Sequence, residues 1–404
     1  MTTSKKYDVI VIGGGILGLS TAMKLTQSYP KYKVAVLEKE TEVATHQTGH
    51  NSGVIHSGLY YRPGSYKATL CVRGARELRD FCDQHDITYN LIGKVVVATN
   101  EEELPALETL FERGTANGVE GIQMIDPQRL NEIEPHAFGV RALHCPNTGI
   151  IDYKEVSRAY ATEMQENGGD LFMNTKVLSI QSSDAAINIQ TTQGDFEGKH
   201  LINCAGLYAD SVVRMMGLKS NVRIIPFRGE YYTIAPEKHH LVNGLIYPVP
   251  NPLFPFLGVH YTRLIHGGVE AGPNAVLAFA REGYSKGIIN IPEFMGTLGY
   301  RGFWSMSRKY WKTGMGEIYR SFSKKAFTRA LQKLLPAIQE EDLVPAGAGV
   351  RAQAVDPTGF LLDDFSIVET RNAIHVQNAP SPAATSSLVI GEHIVDLASK
   401  SFGL

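Results

Sequence analysis

The segment Gly13-Gly14-Gly15-Ile16-Leu17-Gly18 constrains this chain more than any other. It fits G-x-G-x-x-G and lies between an apolar run, Tyr7 to Ile12 interrupted by Asp8, and a stretch from Gly15 to about Ser28 that reads as a helix closed by Pro30. The apolar run predicts a strand buried on both faces of a parallel sheet, and Val34 to Leu37 predicts the next strand of a βαβ unit. Gly13 permits a tight turn, Gly15 lets a pyrophosphate approach the backbone, and Gly18 lets helix and strand pack closely, while the helix N-terminus offers amides and the positive end of its dipole. Glu38 follows twenty residues beyond Gly18, where a carboxylate accepts the hydroxyl protons of an adenosine ribose. The chain is therefore expected to open with a dinucleotide-binding unit.

A chain of 404 residues is too long for one ordinary core, so two domains are expected. Hydrophobic residues at 43 %, charged residues at 20 % and a net charge of −2 describe a globular protein with no global attraction to nucleic acid. Cys71, Cys82, Cys145 and Cys204 include no C-x-x-C pair, which argues against a zinc ribbon, an iron–sulfur cluster or a dithiol centre; reduced, buried thiols are expected and no metal site. The N-terminus lacks the long apolar core of a signal peptide, and no stretch approaches the roughly 18 unbroken apolar residues that cross a bilayer. The expected location is the cytoplasm, with peripheral contact at the inner face of a membrane left open.

Further along, Cys71, Ala75, Leu78 and Cys82 share a face at helical spacing, Lys94 to Thr99 predicts a strand, and Leu104, Leu107 and Leu110 restart a helix. Thr175 to Gln181 and Ala186 to Thr192 predict strands before the buried-looking LINCAG. From Pro226 to about Pro345 the pattern changes to strands rich in aromatics, prolines and glycines, then a basic helical stretch. The reading is α/β with an α+β cap: a Rossmann-like cofactor domain from 1–80, 150–225 and 345–404, and a discontinuous, mainly antiparallel-sheet substrate domain from 81–149 and 226–344.

The fingerprint binds the ADP half common to FAD and NAD, so other segments must choose. A single fingerprint disfavours an enzyme that reduces a flavin with NAD(P)H. THQTGHNSGVIHSG offers polar, small and histidine side chains for a chain passing a flavin, among them Thr48, His50, Asn51 and Ser52, with Lys39 next to Glu38. Val177, Ala205 and Gly206 look like later crossings over adenine and pyrophosphate. Near the end, NAPSPAATSSL sets Pro380 and Pro382 before small residues; amides around Ser381, Ala384, Thr385 and Ser386 are placed to stabilise negative charge on a reduced flavin.

GHNSGVIHSGLYY (49–61), PFRGEYY (226–232), GPNAVLAFAREGY (272–284), GVRAQAVDP (349–357) and NAPSPAATSSL (378–388) together resemble the D-amino-acid-oxidase-like flavoproteins, and more narrowly the L-2-hydroxyglutarate dehydrogenases and oxidases. The resemblance runs almost end to end. It implies noncovalent or covalent FAD, oxidation of L-2-hydroxyglutarate to 2-oxoglutarate by hydride transfer to flavin N5, and delivery of electrons to a quinone or to oxygen.

Such a reaction removes a hydroxyl proton, which calls for a base that is neutral near pH 7. His50, His56 and His260 are candidates. His56 is favoured because Ser57 and Gly58 beside it leave room for substrate, and His50 is alternatively a covalent flavin link, as in some relatives. A dicarboxylate also needs cationic donors, which a guanidinium supplies in pairs. Arg351 in AGVRAQ resembles the arginine that clamps the α-carboxylate in amino-acid-oxidising relatives. Arg228, Tyr247, Tyr261 and Arg281 are weaker candidates for the distal carboxylate or pocket wall, with pairing to Glu230 an equal prospect for Arg228. Tyr60 and Tyr61 read as packing residues.

Between Tyr300 and Lys333, nine Lys or Arg residues face a single acid, Glu317, with aromatics threaded through. A peripheral membrane surface within reach of quinone and a solvated cap face or anionic-substrate funnel fit this equally. Two rival functions share the chain's features: a flavin amine oxidase for glycine, sarcosine or a D-amino acid, and a membrane-docked flavin electron-transfer component. The histidine-bearing GHNSGVIHSG favours an alcohol over an amine, because an amine gains little from a dedicated base.

Overall fold

The computed structural model describes residues 4–183, 185–250 and 257–404. Its first sheet grows outward from strand Lys5–Ile12, where Val9, Ile10 and Val11 are fully buried; Val34–Leu37 and Gly194–Asn203 flank it in parallel. Beyond Val34–Leu37 comes Asp170–Phe172, and beyond Gly194–Asn203 come the antiparallel Ile187–Thr191 and Val177–Ser182. Strand Ala373–Asn378, from the far end of the chain, adds in parallel to residues 201–203.

Helix Ile16–Ser28 packs between Tyr153–Glu166 and Ser387–Phe402. The first and last helices touch closely: a Cβ on Gly391 would come within 2.4 Å of Ser20 Oγ. Helix Tyr153–Glu166 is not marked in the sequence reading because its buried face carries hydroxyls that dilute the apolar period. Those hydroxyls find partners only in the fold, Tyr153 Oη on Val54 O at 2.9 Å and Tyr160 Oη with Ser387 Oγ at 3.1 Å. Helix Tyr66–Gln84 contains the Cys71–Cys82 face and is N-capped by Ser65, whose Oγ accepts from Ala68 N.

A second sheet of nine strands is antiparallel except where Leu245–Pro248 lies parallel to Lys94–Ala98. Its longest ribbon pairs Arg223–Ile234 with Leu343–Val355, setting Phe227 opposite Arg351. Residues 345–355 thus join this sheet, although the sequence groups them with the cofactor domain. The reason is where edges are open: Arg223–Ile234 offers main-chain partners along nearly its whole length, while the place beside Gly194–Asn203 is taken by Ala373–Asn378. Helix Lys324–Leu331 closes one face, burying Phe327 and Leu331 against Ile234, Tyr261 and Ala271. The Rossmann-like α/β half and mainly antiparallel second sheet are the fold class expected. The four cysteines are free thiols, and among the described residues no helix is long and apolar enough to cross a membrane.

Candidate active site

A continuous cavity of about 1880 Å³ is lined by residues of both sheets. At one end stands the glycine turn. Gly13 has φ +112°, and a Cβ there would lie 2.5 Å from Cys204 O; a Cβ on Gly18 would lie 2.0 Å from Gly13 O, so these glycines are demanded by backbone packing. Gly15 faces open space, with Thr48 Oγ1 at 3.5 Å its nearest neighbour, which leaves the room a pyrophosphate requires. Ile16 N donates to Thr48 Oγ1 at 3.1 Å. The Glu38 carboxylate is fixed by Gly14 N at 2.6 Å and Glu40 N at 2.9 Å, with lone pairs left for a ribose.

Leu17, Lys39, Val177, Ala205 and Gly206 line this cavity. Lys39 is tied to Glu40 and Glu282, and the cluster those acids form with His46 is thereby bridged by an ammonium. His50, Asn51 and Ser52 line the cavity's middle; the His50 ring stacks on Tyr284 at 4.3 Å, while Asn51 is occupied with Gln47 O and Thr48 O. Ser381, Ala384 and Thr385 also reach the cavity. Gly18 and Ser386 do not: Gly18 packs helix on turn, and Ser386 lies against helix Tyr66–Gln84, where a Cβ on Gly74 would come within 2.7 Å of its Cα.

The other end gathers His56, Tyr247, His260 and Arg351 from separate strands and loops. His56 follows strand Val54–Ile55 and opens toward the cavity; its Nε2 is 3.2 Å from Ser381 Oγ, and its Nδ1 is buried without a partner among the described residues. Burial, with the nearby charges of Lys94, His260 and Lys67, lowers its pKa to about 3. His260 shares the direction and the value, again mainly from burial, with Arg351 and Lys94 adding to it against the Gly258 carbonyl. That carbonyl accepts from His260 Nδ1 at 2.9 Å, so Nε2 carries the lone pair, and the ring sits 3.9 Å from the Tyr247 ring. Behind them is Lys94, fully buried, its Nζ 4.6 Å above the Tyr60 ring; burial lowers its proton affinity, and no acid pairs with it among the described residues.

Arg228, Tyr261 and Arg281 fall outside the cavity wall. Arg281 grips Asp210 with both terminal nitrogens, at 2.6 and 3.0 Å, and also donates to Leu207 O; Asp210 is completely buried, so the pair is a structural clasp. Arg228 donates to Glu230 Oε1 at 3.1 and 3.2 Å, the alternative the sequence left open. Tyr261 Oη donates to Leu331 O in the second core. In the other direction, Tyr60, Tyr61 and Lys67 line the cavity. Of these only Tyr60 and Tyr61 carry a signal in the sequence, that of proximity, since they follow His56 by four and five residues.

A glycine turn open at Gly15, a fixed Glu38 and a long cavity leading to basic side chains fit an ADP-bearing flavin. A sequence model of FAD-dependent oxidoreductases matches residues 8–397, and the chain belongs to that family, whose cofactor is FAD. Over 397 residues, 98 % of this chain and 100 % of the relative, it is 58 % identical to L-2-hydroxyglutarate dehydrogenase of Indibacter alkaliphilus. Identity to the enzyme of that name from Escherichia coli strain K12 is 47 % over 390 residues, 96 % of this chain and 92 % of the relative. Among solved structures, L-α-glycerophosphate oxidase from Mycoplasma pneumoniae with FAD bound has the same fold, with a TM-score of 0.79 at 23 % identity across 97 % of this chain and 94 % of that one.

Proposed function

We propose that this protein oxidises L-2-hydroxyglutarate to 2-oxoglutarate. The observation that carries the reading is a pair of desolvated, neutral imidazoles, His56 and His260, beside the Arg351 guanidinium at one end of a cavity whose other end is shaped for ADP. The two relatives named above support the choice of substrate.

Arg351 holds the C1 carboxylate through two parallel hydrogen bonds and so fixes where C2 and its hydroxyl stand. His56 accepts the hydroxyl proton at Nε2, the Ser381 hydroxyl rotating aside. An imidazolium has no lone pair for this task, and burial is what keeps the ring neutral. His260, its Nδ1 proton given to Gly258 O, offers Nε2 to the same hydroxyl. Tyr60, Tyr61 and Tyr247 wall the site from water. Bound FAD, its ADP half at Gly15 and Glu38, supplies the acceptor for the hydrogen that leaves C2 with its electron pair. Anaerobic mixing of the yellow protein with L-2-hydroxyglutarate should bleach the flavin band and yield 2-oxoglutarate, while the D-isomer and glycine leave it yellow. Bleaching by glycine or sarcosine alone would move the protein to the amine oxidases.

The acceptor in this reading is a membrane quinone, reached through peripheral contact at the inner face of a membrane. Helix Arg301–Phe322 supports it: beyond a kink at Tyr310, Trp311, Met315, Ile318 and Phe322 form a stripe at helical spacing that faces solvent, with Phe322 79 % exposed, and Trp304 before the kink is exposed as well. Ile291 and Met295 in the preceding helix are exposed apolar residues too, and Arg308, Lys309 and Lys312 are exposed cations on the same helix as the stripe. Salt-sensitive sedimentation with anionic liposomes, lost on neutralising these cations, tests it, and oxygen uptake without quinone would favour oxygen as acceptor. The domain division is proposed on the sheets, with the last boundary moved to 356.

A further inference from the structure

With Arg228 and Arg281 engaged elsewhere, the second carboxylate of a hydroxy-diacid lacks the guanidinium that the sequence offered it. Of the cations on the cavity wall besides Arg351, Lys39 is held by Glu40 and Glu282, Lys176 adjoins Val177 at the adenosine end, Arg62 is exposed at the mouth, and Arg113, in the last turn of helix Leu104–Ala116, is not among the charges felt at His56 or His260. Lys67 differs from these. It sits partly buried in the first turn of helix Tyr66–Gln84, with Nζ 5.7 Å from the Tyr61 ring centre, and forms no ion pair among the described residues. Burial outweighs the through-space pull of Asp363 and Asp364 and lowers its proton affinity, so an anion brought to it would be strongly held. The charge of Lys67 is felt at His56, and that of Arg351 at His260. The imidazole pair therefore has a cation within electrostatic reach on the side of each ring.

We propose that Lys67 binds the distal carboxylate of the substrate and sets the preference for a hydroxy-dicarboxylate over a hydroxy-monoacid. The Tyr60 hydroxyl, buried in the same wall without a partner among the described residues, is the second donor to that carboxylate. This deepens the function proposed above and depends on it. The two carboxylates then play separate parts: C1 at Arg351 orients the reacting carbon, and C5 at Lys67 supplies selectivity.

The test compares L-2-hydroxyglutarate with L-2-hydroxypentanoate, which keeps the five-carbon chain and lacks the second carboxylate, on the FAD-loaded full-length protein. Lys67→Met should lower kcat/KM for the diacid about 50-fold, mostly through KM, and leave the monoacid within about threefold, so that the ratio between them collapses. Lys67→Arg should restore most of the ratio, and Tyr60→Phe should lower it by about fivefold. Flavin absorbance confirms folding, and Lys67→Gln replaces the Met variant if that one loses FAD. An unchanged ratio in every Lys67 variant, with the wild type still turning over the diacid, overturns this inference alone. Equal loss on both substrates also overturns it, since that would place Lys67 in the chemistry. A wild type inert toward L-2-hydroxyglutarate overturns the proposed function and this inference together.

Discussion

The two ends of the cavity are built in opposite ways. The ADP end is local: Gly13, Gly15, Gly18 and Glu38 fall within one βαβ unit, where Gly13, Gly18 and Glu38 are dictated by backbone geometry, an impossible Cβ or a pair of amides and Gly15 keeps space open. The reaction end is assembled from distant pieces, His56 after a two-residue strand, Tyr247 and His260 on the second sheet, Arg351 on the ribbon beyond and Ser381 near the C-terminus. Binding the invariant half of a cofactor needs main chain in a fixed shape. Holding a particular substrate needs side chains whose charge and burial are set by everything around them.

Substitutions can sharpen this contrast. Arg351→Met should have the largest effect, lowering kcat/KM for L-2-hydroxyglutarate about 1,000-fold at unchanged FAD content, since a desolvated carboxylate loses its charged partner. Loss of FAD along with activity would show the two ends to be less separable than described. His56→Asn should lower kcat about 100-fold with little change in KM, the usual size for a removed general base. Glu38→Ala should weaken FAD binding about 30-fold, read by titrating apoprotein with FAD, while the loaded enzyme keeps its kcat. Arg281→Met should change kcat/KM by less than about threefold but lower Tm by several degrees, because it leaves a buried carboxylate with Arg214 as its one remaining cation. A large kcat/KM loss there would return Arg281 to the substrate site.

The histidines add a pH signature. A base of ordinary pKa 6.5 would give kcat/KM an acid limb near that value, but both rings are lowered to about 3, so the profile should stay flat well below pH 6. Stability has the matching sign. The unfolded chain binds these protons more readily than the native one, so the rings' contribution is present above pH 6.5 and fades as pH falls from there toward 3. Thermal melts between pH 7 and 4 measure it.

Legibility in the sequence followed the same division. The glycine fingerprint, its flanking strands and Glu38 could be read by spacing alone, and strands such as Lys94–Ala98 were visible from residue pattern. Arg351 is recognised only through family resemblance, and Tyr247 and His260 stand only as candidates among several, because nothing local distinguishes them from other arginines, tyrosines and histidines. Arg281 was misjudged for the reason that Asp210, its partner, lies 71 residues away. Lys67 gave no signal, since a lysine in a helix's first turn reads as solvated until helix, Tyr61 and the cavity are placed together.

The Thr385 hydroxyl is met by the Tyr153 phenol at 2.8 Å and by the main-chain amide of His56 at 3.1 Å, with Val54 O at 3.3 Å. It works like a rivet through three layers of chain, so the His56 ring has no settled position until a segment 329 residues further along the chain has docked.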